Sequence, residues 1–379
     1  MSKISVIIPA YNEEEGIREI VDRVLKQTEN LPLELIVVND GSTDATAEIV
    51  SKYKEQGVKL INHETNLGYG AALKKGFKSA NGDLIAFLDA DGTYPPEYLP
   101  HLCQTLIKEN ADIVLGSRFA GERTGMPRHR RFGNKILALF LSWIGNRKIT
   151  DTASGMRVLK KSILPKLYPL PDGLEFTPAM STRAIHEDLK IVEVPIPYSE
   201  RMGRSKLSAV KQGYGFFRSI TDITTMYNPL KFFGVFGLIC LLVAFFLSID
   251  PMLYYFNNRV VLETSIYRLL IVVILVLTGF NLISFGALSN YAVSSIHGIK
   301  TSYQIIYKKR FIAFAQIVGI ILMFSGILSN LPLVVQYLKT SHIFYHWSYI
   351  VLGMLLFLSG LQIFILASLV AIIEAVTKK

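Results

Sequence analysis

The sequence predicts two architectures in series: an α/β domain with a mainly parallel, doubly wound sheet, then an all-α transmembrane domain. Three observations carry this expectation. Strand-like apolar runs recur at residues 4 to 8, 33 to 38, 58 to 62, 84 to 89 and 112 to 115, and amphipathic helical stretches separate the first four. Hydrophobic residues reach 50% while charged residues fall to 18% of the 379 positions, which is unusually apolar for a soluble chain. The excess is not spread evenly, because long uncharged stretches begin only beyond about Tyr227. The chain thus divides into residues 1–205 as a soluble domain, 206–228 as a juxtamembrane amphipathic helix and 229–379 as a membrane domain.

The first run, Ile4 to Ile8, reads into Pro9-Ala10-Tyr11-Asn12-Glu13-Glu14. It is too short before Pro9 for a signal peptide, so the soluble domain is expected to stay in the cytoplasm. The second run, Leu35 to Val38, meets Asn39-Asp40-Gly41-Ser42-Thr43-Asp44. There Gly41 suits a tight turn and Thr43 or Asp44 suits a helix N-cap, but capping gives no reason for Asp40 at the strand tip. After the third run, Asn66 to Gly76 opens a helix with a G-x-G that lacks full dinucleotide spacing, since Ala71 and Leu73 fill later positions. Such a pair is more often a turn than a phosphate loop, although it lets backbone approach a base or ribose.

The fourth run ends abruptly in Asp89-Ala90-Asp91, and Gly92, Pro95 and Pro96 then stop the strand. Carboxylates at i and i+2 of a strand share a face about 6–7 Å apart along the chain. Two readings are open: a divalent metal carrying a polyphosphate, or a solvated acidic turn.

The net charge of +10 suits nucleic acid, an anionic membrane surface or a phosphorylated substrate, and a membrane domain favours the last two over nucleic acid. Cys103 and Cys240 lie too far apart in sequence to imply a disulfide framework or a cysteine metal site. His101, His129 and His186 show no ligand spacing and read as surface or packing residues.

Together, Pro9-Ala10-Tyr11-Asn12-Glu13, Asn39 to Asp44, Asn66 to Gly70 and Asp89-Ala90-Asp91 resemble family 2 glycosyltransferases of the Rossmann-like GT-A fold. The resemblance implies that Asp89 and Asp91, with Thr93, hold Mg²⁺ or Mn²⁺ and that Asp89, Ala90 and Asp91 contact the nucleotide-sugar donor. It further implies that Pro9, Tyr11, Glu13 and Asp40 border base and ribose, with Asn66 and Gly70 nearby. Later segments narrow it. Gly116-Ser117-Arg118, Asp151 to Arg157 and Arg201 to Lys206 look like the G-S-R, D-x-x-S-G-x-R and R-x-G-x-S-K elements of polyprenyl-phosphate glycosyltransferases, including dolichyl-phosphate mannose synthases. The likeness covers essentially residues 1 to 210. Two positions depart from it: Asn39 stands where Asp is frequent, and Thr93 where Gln often helps ligate metal.

What the resemblance implies is metal-dependent, inverting transfer of one sugar, from a donor of GDP-mannose or UDP-hexose type, to dolichyl or undecaprenyl phosphate at the cytoplasmic face. The acceptor is already an anion, so the cations must hold two anions close together rather than supply a base. Arg118, Arg131, Arg201 and Lys206, joined by Ser205, are the candidates for the acceptor phosphate, and with Asp89, Asp91 and Thr93 they complete the site. Each arginine also fits a solvated surface charge, and Arg128 and Arg130 fit contact with anionic lipid. Ser154 and Gly155 suit either a diphosphate contact or a turn, and Glu175 suits either the sugar or a helix start. The chain lacks a Gln-x-x-Arg-Trp element, which favours single-sugar transfer over polymerisation. Transfer to a neutral lipid such as diacylglycerol, a lipid-linked-sugar flippase, and a partner-binding scaffold are the alternatives. A homo-oligomer is compatible with all of them.

Two amphipathic stretches precede the first span. Ile136, Leu139, Phe140 and Trp143 fall at helical spacing in one, and Phe216, Phe217 and Ile220 in the other, so either face suits a membrane interface or the soluble core. Spans are predicted at 229–249, 266–292, 311–335 and 347–376. Lys300, Lys308, Lys309 and Arg310 crowd the loop after the second, and Lys378 and Lys379 end the chain, which puts both termini in the cytoplasm.

Overall fold

The computed structural model describes residues 3–29, 32–119, 126, 128–199, 201, 209–297, 309–342 and 347–377. The chain forms two compact units, Met1–Thr224 and Thr225–Lys379.

The first unit alternates strand and helix: β1 (Ile4–Ala10), α1 (Ile17–Leu25), β2 (Leu33–Asn39), α2 (Thr46–Ser51), β3 (Lys59–Asn62), α3 (Tyr69–Ser79), β4 (Leu84–Phe87) and α4 (Leu99–Lys108). There follow β5 (Ile113–Ser117), α5 (Arg128–Gly145), β6 (Arg157–Lys160), the one-turn α6 (Leu164–Leu167), α7 (Phe176–His186), β7 (Ile191–Pro195) and α8 (Ala209–Tyr227). The strands make one sheet in the order β3-β2-β1-β4-β6-β5-β7. Its centre is apolar on both faces, with Ile7, Ile8, Ile36, Val37 and Ile85 inaccessible to solvent, as a sheet covered by helices requires. Burial of each such side chain contributes about 1.5–3 kcal/mol. α1 meets the sheet through Ile17, Ile20, Val21 and Val24, one face of a 3.6-residue repeat.

One strand breaks the parallel pattern and shapes everything that follows. β6 runs antiparallel to both β4 and β5, and Arg157 pairs with Phe87 on one side and Leu115 on the other. The segment entering β6 therefore emerges between the carboxyl ends of β4 and β5, where Asp89 and Arg118 follow. Sequence spacing predicted a mainly parallel sheet, and the sheet has that character with this one exception.

Helix α2 starts one residue later than its predicted caps. Ala45 is the N-cap, and Asp44 closes the preceding turn by accepting from Thr46 N at 3.0 Å. Gly41 does make the tight turn, with φ of +70° and an ideal Cβ only 2.5 Å from the Thr65 carbonyl carbon.

The amphipathic helices α5 and α8 pack together inside the first unit. Leu137, Leu141, Ile144, Phe216 and Ile220 form their shared core with Ile185 of α7. Phe132, Ile136, Leu139 and Trp143 stay exposed on α5, as do Tyr214 and Phe217 on α8. One apolar stripe of each helix is thus spent on the core and a second is left outward.

The second unit is four helices, α9 (Pro229–Asn258), α10 (Glu263–His297), α11 (Lys309–Thr340) and α12 (Trp347–Thr377), each long and apolar enough to cross a membrane. They outrun the predicted spans because backbone hydrogen bonding continues into flanking residues; α9 passes through Pro251 to Asn258. Only 11% to 17% of their most apolar windows is buried, a distribution that suits lipid rather than water as the surrounding medium. α9 packs on α10, and α11 on α12.

Candidate active site

A cavity of about 870 Å³ opens in the first unit at the carboxyl ends of β1, β2, β4 and β5. Asp89 and Asp91 lie in its wall, delivered there because the strand stops two residues before Asp89. Tyr69 Oη donates to Asp89 Oδ1 at 2.7 Å. Gly155 lies directly beneath the same carboxylate, so close that a Cβ would sit 2.4 Å from Oδ2. Gly155 N donates in turn to the buried Tyr94 hydroxyl at 2.7 Å. Burial, then the neighbouring charge of Asp91, pushes the Asp89 carboxyl up to about 7, against the pull of Tyr69, Arg118 and Arg201. The Tyr69 hydroxyl is itself held well above its ordinary value by burial and by Asp89, so it stays a donor.

Asp91 Oδ1 accepts from Thr93 N at 3.1 Å and Thr93 Oγ1 at 2.6 Å. Thr93 is buried and does not line the cavity; its hydroxyl orients Asp91. No group of three or more His, Cys, Asp or Glu side chains suited to a metal occurs among the described residues. Two carboxylates on one wall nevertheless fit Mg²⁺ or Mn²⁺, which commonly complete their shell with substrate phosphates and water. Burial first, and then the charge of Asp91, raise Asp89, and a cation there would offset both.

Pro9, Ala10, Tyr11, Glu13, Asp40, Asn66 and Ala90 line the same cavity. Asp40 is already heavily engaged: Oδ1 meets His63 Nδ1 at 2.7 Å and accepts from Leu67 N at 2.9 Å, while Oδ2 accepts from Gly68 N at 2.8 Å. Its position at the strand tip thus organises the loop that carries Asn66. Asn39 bonds Asn62 and accepts from Ser42 N, which fixes the neighbouring turn without a second carboxylate.

The G-x-G segment behaves differently from a ligand loop. Gly70 N and Ala71 N both donate to Asp172 O, at 2.7 and 3.1 Å. A Cβ on Gly70 would stand 2.2 Å from Pro171 O. The amino end of α3 is thereby satisfied by protein backbone, and Gly70 does not line the cavity, whereas Gly68 and Tyr69 do. Gly70 thus stands beside the lining residues Gly68 and Tyr69, and its missing side chain admits residues 171–172.

In the same cavity Arg118 is buried and pairs bidentately with Asp151, Nε and Nη2 each at 2.7 Å. Tyr94 and Tyr198 flank its guanidinium at 6.0 and 5.4 Å from their ring centres. Burial opposes its charge, but Asp151 outweighs that and holds the pKa well above the ordinary value. Asp151 N donates to Glu193 at 3.0 Å, which ties this pair to β7. Arg157, fully buried, donates to Ser154 O and Thr152 O at 3.0 and 2.8 Å and so stiffens the loop that presents Gly155. Burial lowers its pKa to about 10.

Arg201 reaches across to the acidic wall. Its Nη2 bonds Glu13 Oε1, and Nη1 lies 3.6 Å from Asp91 Oδ2. Arg131, by contrast, is exposed on α5 and does not line the cavity, because the helix turns Leu137 and Leu141 inward instead. Ser205 and Lys206 lie outside the described residues. Glu175 is the N-cap residue of α7 rather than a cavity residue. Tyr69, Tyr94 and Tyr198 all line the cavity, and sequence reasoning assigned none of them a role in the site, whereas Gly155, which also lines it, suits by sequence either a diphosphate contact or a turn. Tyr69 stood inside the quoted Asn66-to-Gly70 motif, which was the available signal. Away from the charged walls the cavity becomes apolar, with Met126, Ile136, Leu137, Phe216 and Phe217.

Fold and site together define an α/β protein of GT-A type whose cavity carries an acidic pair and arginines. The solved structure of glucosyl-3-phosphoglycerate synthase from Mycobacterium tuberculosis, in complex with Mn²⁺, UDP and phosphoglyceric acid, superposes with a TM-score of 0.50. It shares 20% identity over 59% of this chain and 78% of that one. Residues 5–168 match the model described as glycosyl transferase family 2. A dolichyl-phosphate hexose transferase of Haloferax volcanii is 31% identical over 58% of this chain and 93% of its own length. A dolichol-phosphate mannosyltransferase of Pyrococcus furiosus is 35% identical over 54% of this chain, and the match spans only 59% of that relative. The chain belongs to glycosyl transferase family 2.

Proposed function

We propose that this protein transfers a single sugar from a nucleotide-sugar donor to a polyprenyl phosphate at the cytoplasmic face of a membrane, with inversion and with a divalent cation. The observation that carries this reading is the continuity of one cavity. The acidic pair, Arg118 and Arg201, and apolar residues of α5 and α8 all line it. Such a space suits a diphosphate, a phosphate and the start of a hydrocarbon chain.

Asp89 and Asp91 would hold the cation, which when bound neutralises the charge gained by the leaving nucleoside diphosphate. Tyr69 and Gly155 fix the Asp89 carboxylate, and Thr93 fixes Asp91. An oxygen of the acceptor phosphate attacks the anomeric carbon from the face opposite the departing diphosphate, so the new C–O bond has inverted configuration. That oxygen carries charge at neutral pH, so none of these side chains needs to remove a proton from it. Arg118, anchored by Asp151, offers a preorganised positive charge that costs no reorganisation during the reaction. The outward apolar side chains of α5 and α8, with the four apolar helices, support a membrane-bound acceptor. Lys309 and Arg310 at the start of α11 support a cytoplasmic placement of that end.

Purified full-length protein incubated with Mg²⁺ or Mn²⁺, polyprenyl phosphate, and GDP- and UDP-sugars is expected to yield a lipid-linked monosaccharide with at least one donor. A panel without product, from protein that still melts cooperatively, would overturn the proposal.

A further inference from the structure

Arg201 belongs by sequence to the basic motif assigned to the acceptor, yet its guanidinium lies on the acidic wall. It bonds Glu13, lies 3.6 Å from Asp91, and its Nε is buried with no hydrogen-bond partner among the described residues. Glu13 and Asp91 side chains are only 15% and 14% exposed, so this contact is shielded from solvent and poorly screened by salt. The guanidinium therefore offsets the repulsion between Asp91 and Asp89.

A divalent cation on Asp91 and a guanidinium against the same carboxylate repel each other strongly at this distance. The cation competes with the guanidinium for that carboxylate and so weakens its hold on Arg201. We propose that Arg201 is a latch: it balances the acidic pair before the donor binds, is released when cation and nucleotide arrive, and then takes the acceptor phosphate. Released, its planar fork has the geometry for bidentate phosphate contact. The two substrate sites are thereby coupled, and donor binding precedes acceptor binding. Coupling of this kind is reciprocal, so a bound acceptor phosphate raises affinity for the cation.

The inference rests on the reading of Asp89 and Asp91 as cation ligands, and the test separates the two. Mn²⁺ alone is titrated into detergent-purified full-length protein, and unbound Mn²⁺ is followed by electron paramagnetic resonance. Arg201→Ala is expected to bind Mn²⁺ about tenfold more tightly than the parent, equivalent to about 1.4 kcal/mol. Arg201→Gln, which keeps hydrogen bonding without charge, should match it, and Arg201→Lys should stay near the parent. A second arm measures farnesyl phosphate binding, which in the parent should require Mn²⁺ with GDP or UDP. Unchanged or weaker Mn²⁺ binding in both neutral variants, with binding lost in Asp91→Asn, would overturn the latch and leave the cation site standing. Undiminished Mn²⁺ binding in Asp91→Asn would remove the cation site and the latch with it.

Discussion

The two units use the same residue for opposite ends. In the first, Gly155 lets a backbone reach the Asp89 carboxylate, and Gly68 and Gly70 let residues 171–173 reach α3. In the second, glycines face each other across helices: a Cβ on Gly237 would be 2.7 Å from Gly279 O, one on Gly319 2.8 Å from Gly360 O, and one on Gly326 2.6 Å from Gly353 O. Gly319 and Gly326 lie about two helical turns apart, as do Gly353 and Gly360, so α11 and α12 meet antiparallel at two close points. Water drives the first unit to bury its apolar residues, and glycine there is free to position charge. Lipid gives the second unit no such drive, so close backbone contact must supply the packing itself. A missing Cβ thus serves chemistry in one unit and cohesion in the other.

That contrast can be broken in four ways. The largest effect is expected from Asp91→Asn, which should lower kcat/KM by on the order of 10³-fold, as loss of a key electrostatic group does. The melting temperature should remain near the parent value. Gly155→Ala comes next. Displacing the Asp89 carboxylate should cost about 10²-fold in kcat/KM while the melting curve hardly moves; gross unfolding instead would make this glycine a cohesion residue like those of the second unit.

Gly360→Val should do the reverse. Overpacking against Gly319 is expected to cost about 1–3 kcal/mol of stability in detergent, with Mn²⁺ affinity unaltered. Chemical denaturation and a metal titration on the same sample decide it.

The smallest effect concerns proton linkage. Asp89 has its folded pKa raised from 3.8 to about 7, so its contribution to stability is full below about pH 4 and is lost as pH rises through about 7. In metal-free buffer Asp89→Asn is therefore expected to melt higher than the parent at pH 8. The gap should narrow as pH falls below 7 and close below about pH 4. An excess of Mn²⁺ should favour the parent instead, and a pH-independent gap would mean that Asp89 is not ionising in the window its surroundings dictate.

Much of this molecule is legible in one dimension. Asp89 and Asp91 announce themselves because carboxylates end an apolar strand, and strand ends are where such sheets place ligands. Arg118 is legible for the same reason, one residue beyond β5. Its partner Asp151 is not, since 33 residues separate them and only the antiparallel entry of β6 brings them together. Arg131 is a weaker candidate than Arg118 by sequence, because it sits among four clustered arginines with only Asn134 to place it. α5 carries two overlapping apolar stripes, and periodicity does not say which one the core takes; choosing Leu137, Leu141 and Ile144 turned Arg131 to the surface. The glycines at 68 and 70 were visible, but what they approach, Asp172 and Pro171, lies far along the chain.

By itself, the sequence determined the alternation of strand and helix, the four apolar helices and the acidic pair at a strand end. These depend on local periodicity and on charge that interrupts it. Tertiary structure alone decided that Tyr69 and Gly155 brace Asp89, that Asp151 anchors Arg118 and that Arg201 crosses to the acidic wall. Each is a contact between distant segments, set by strand order and close backbone approach, which no local pattern encodes.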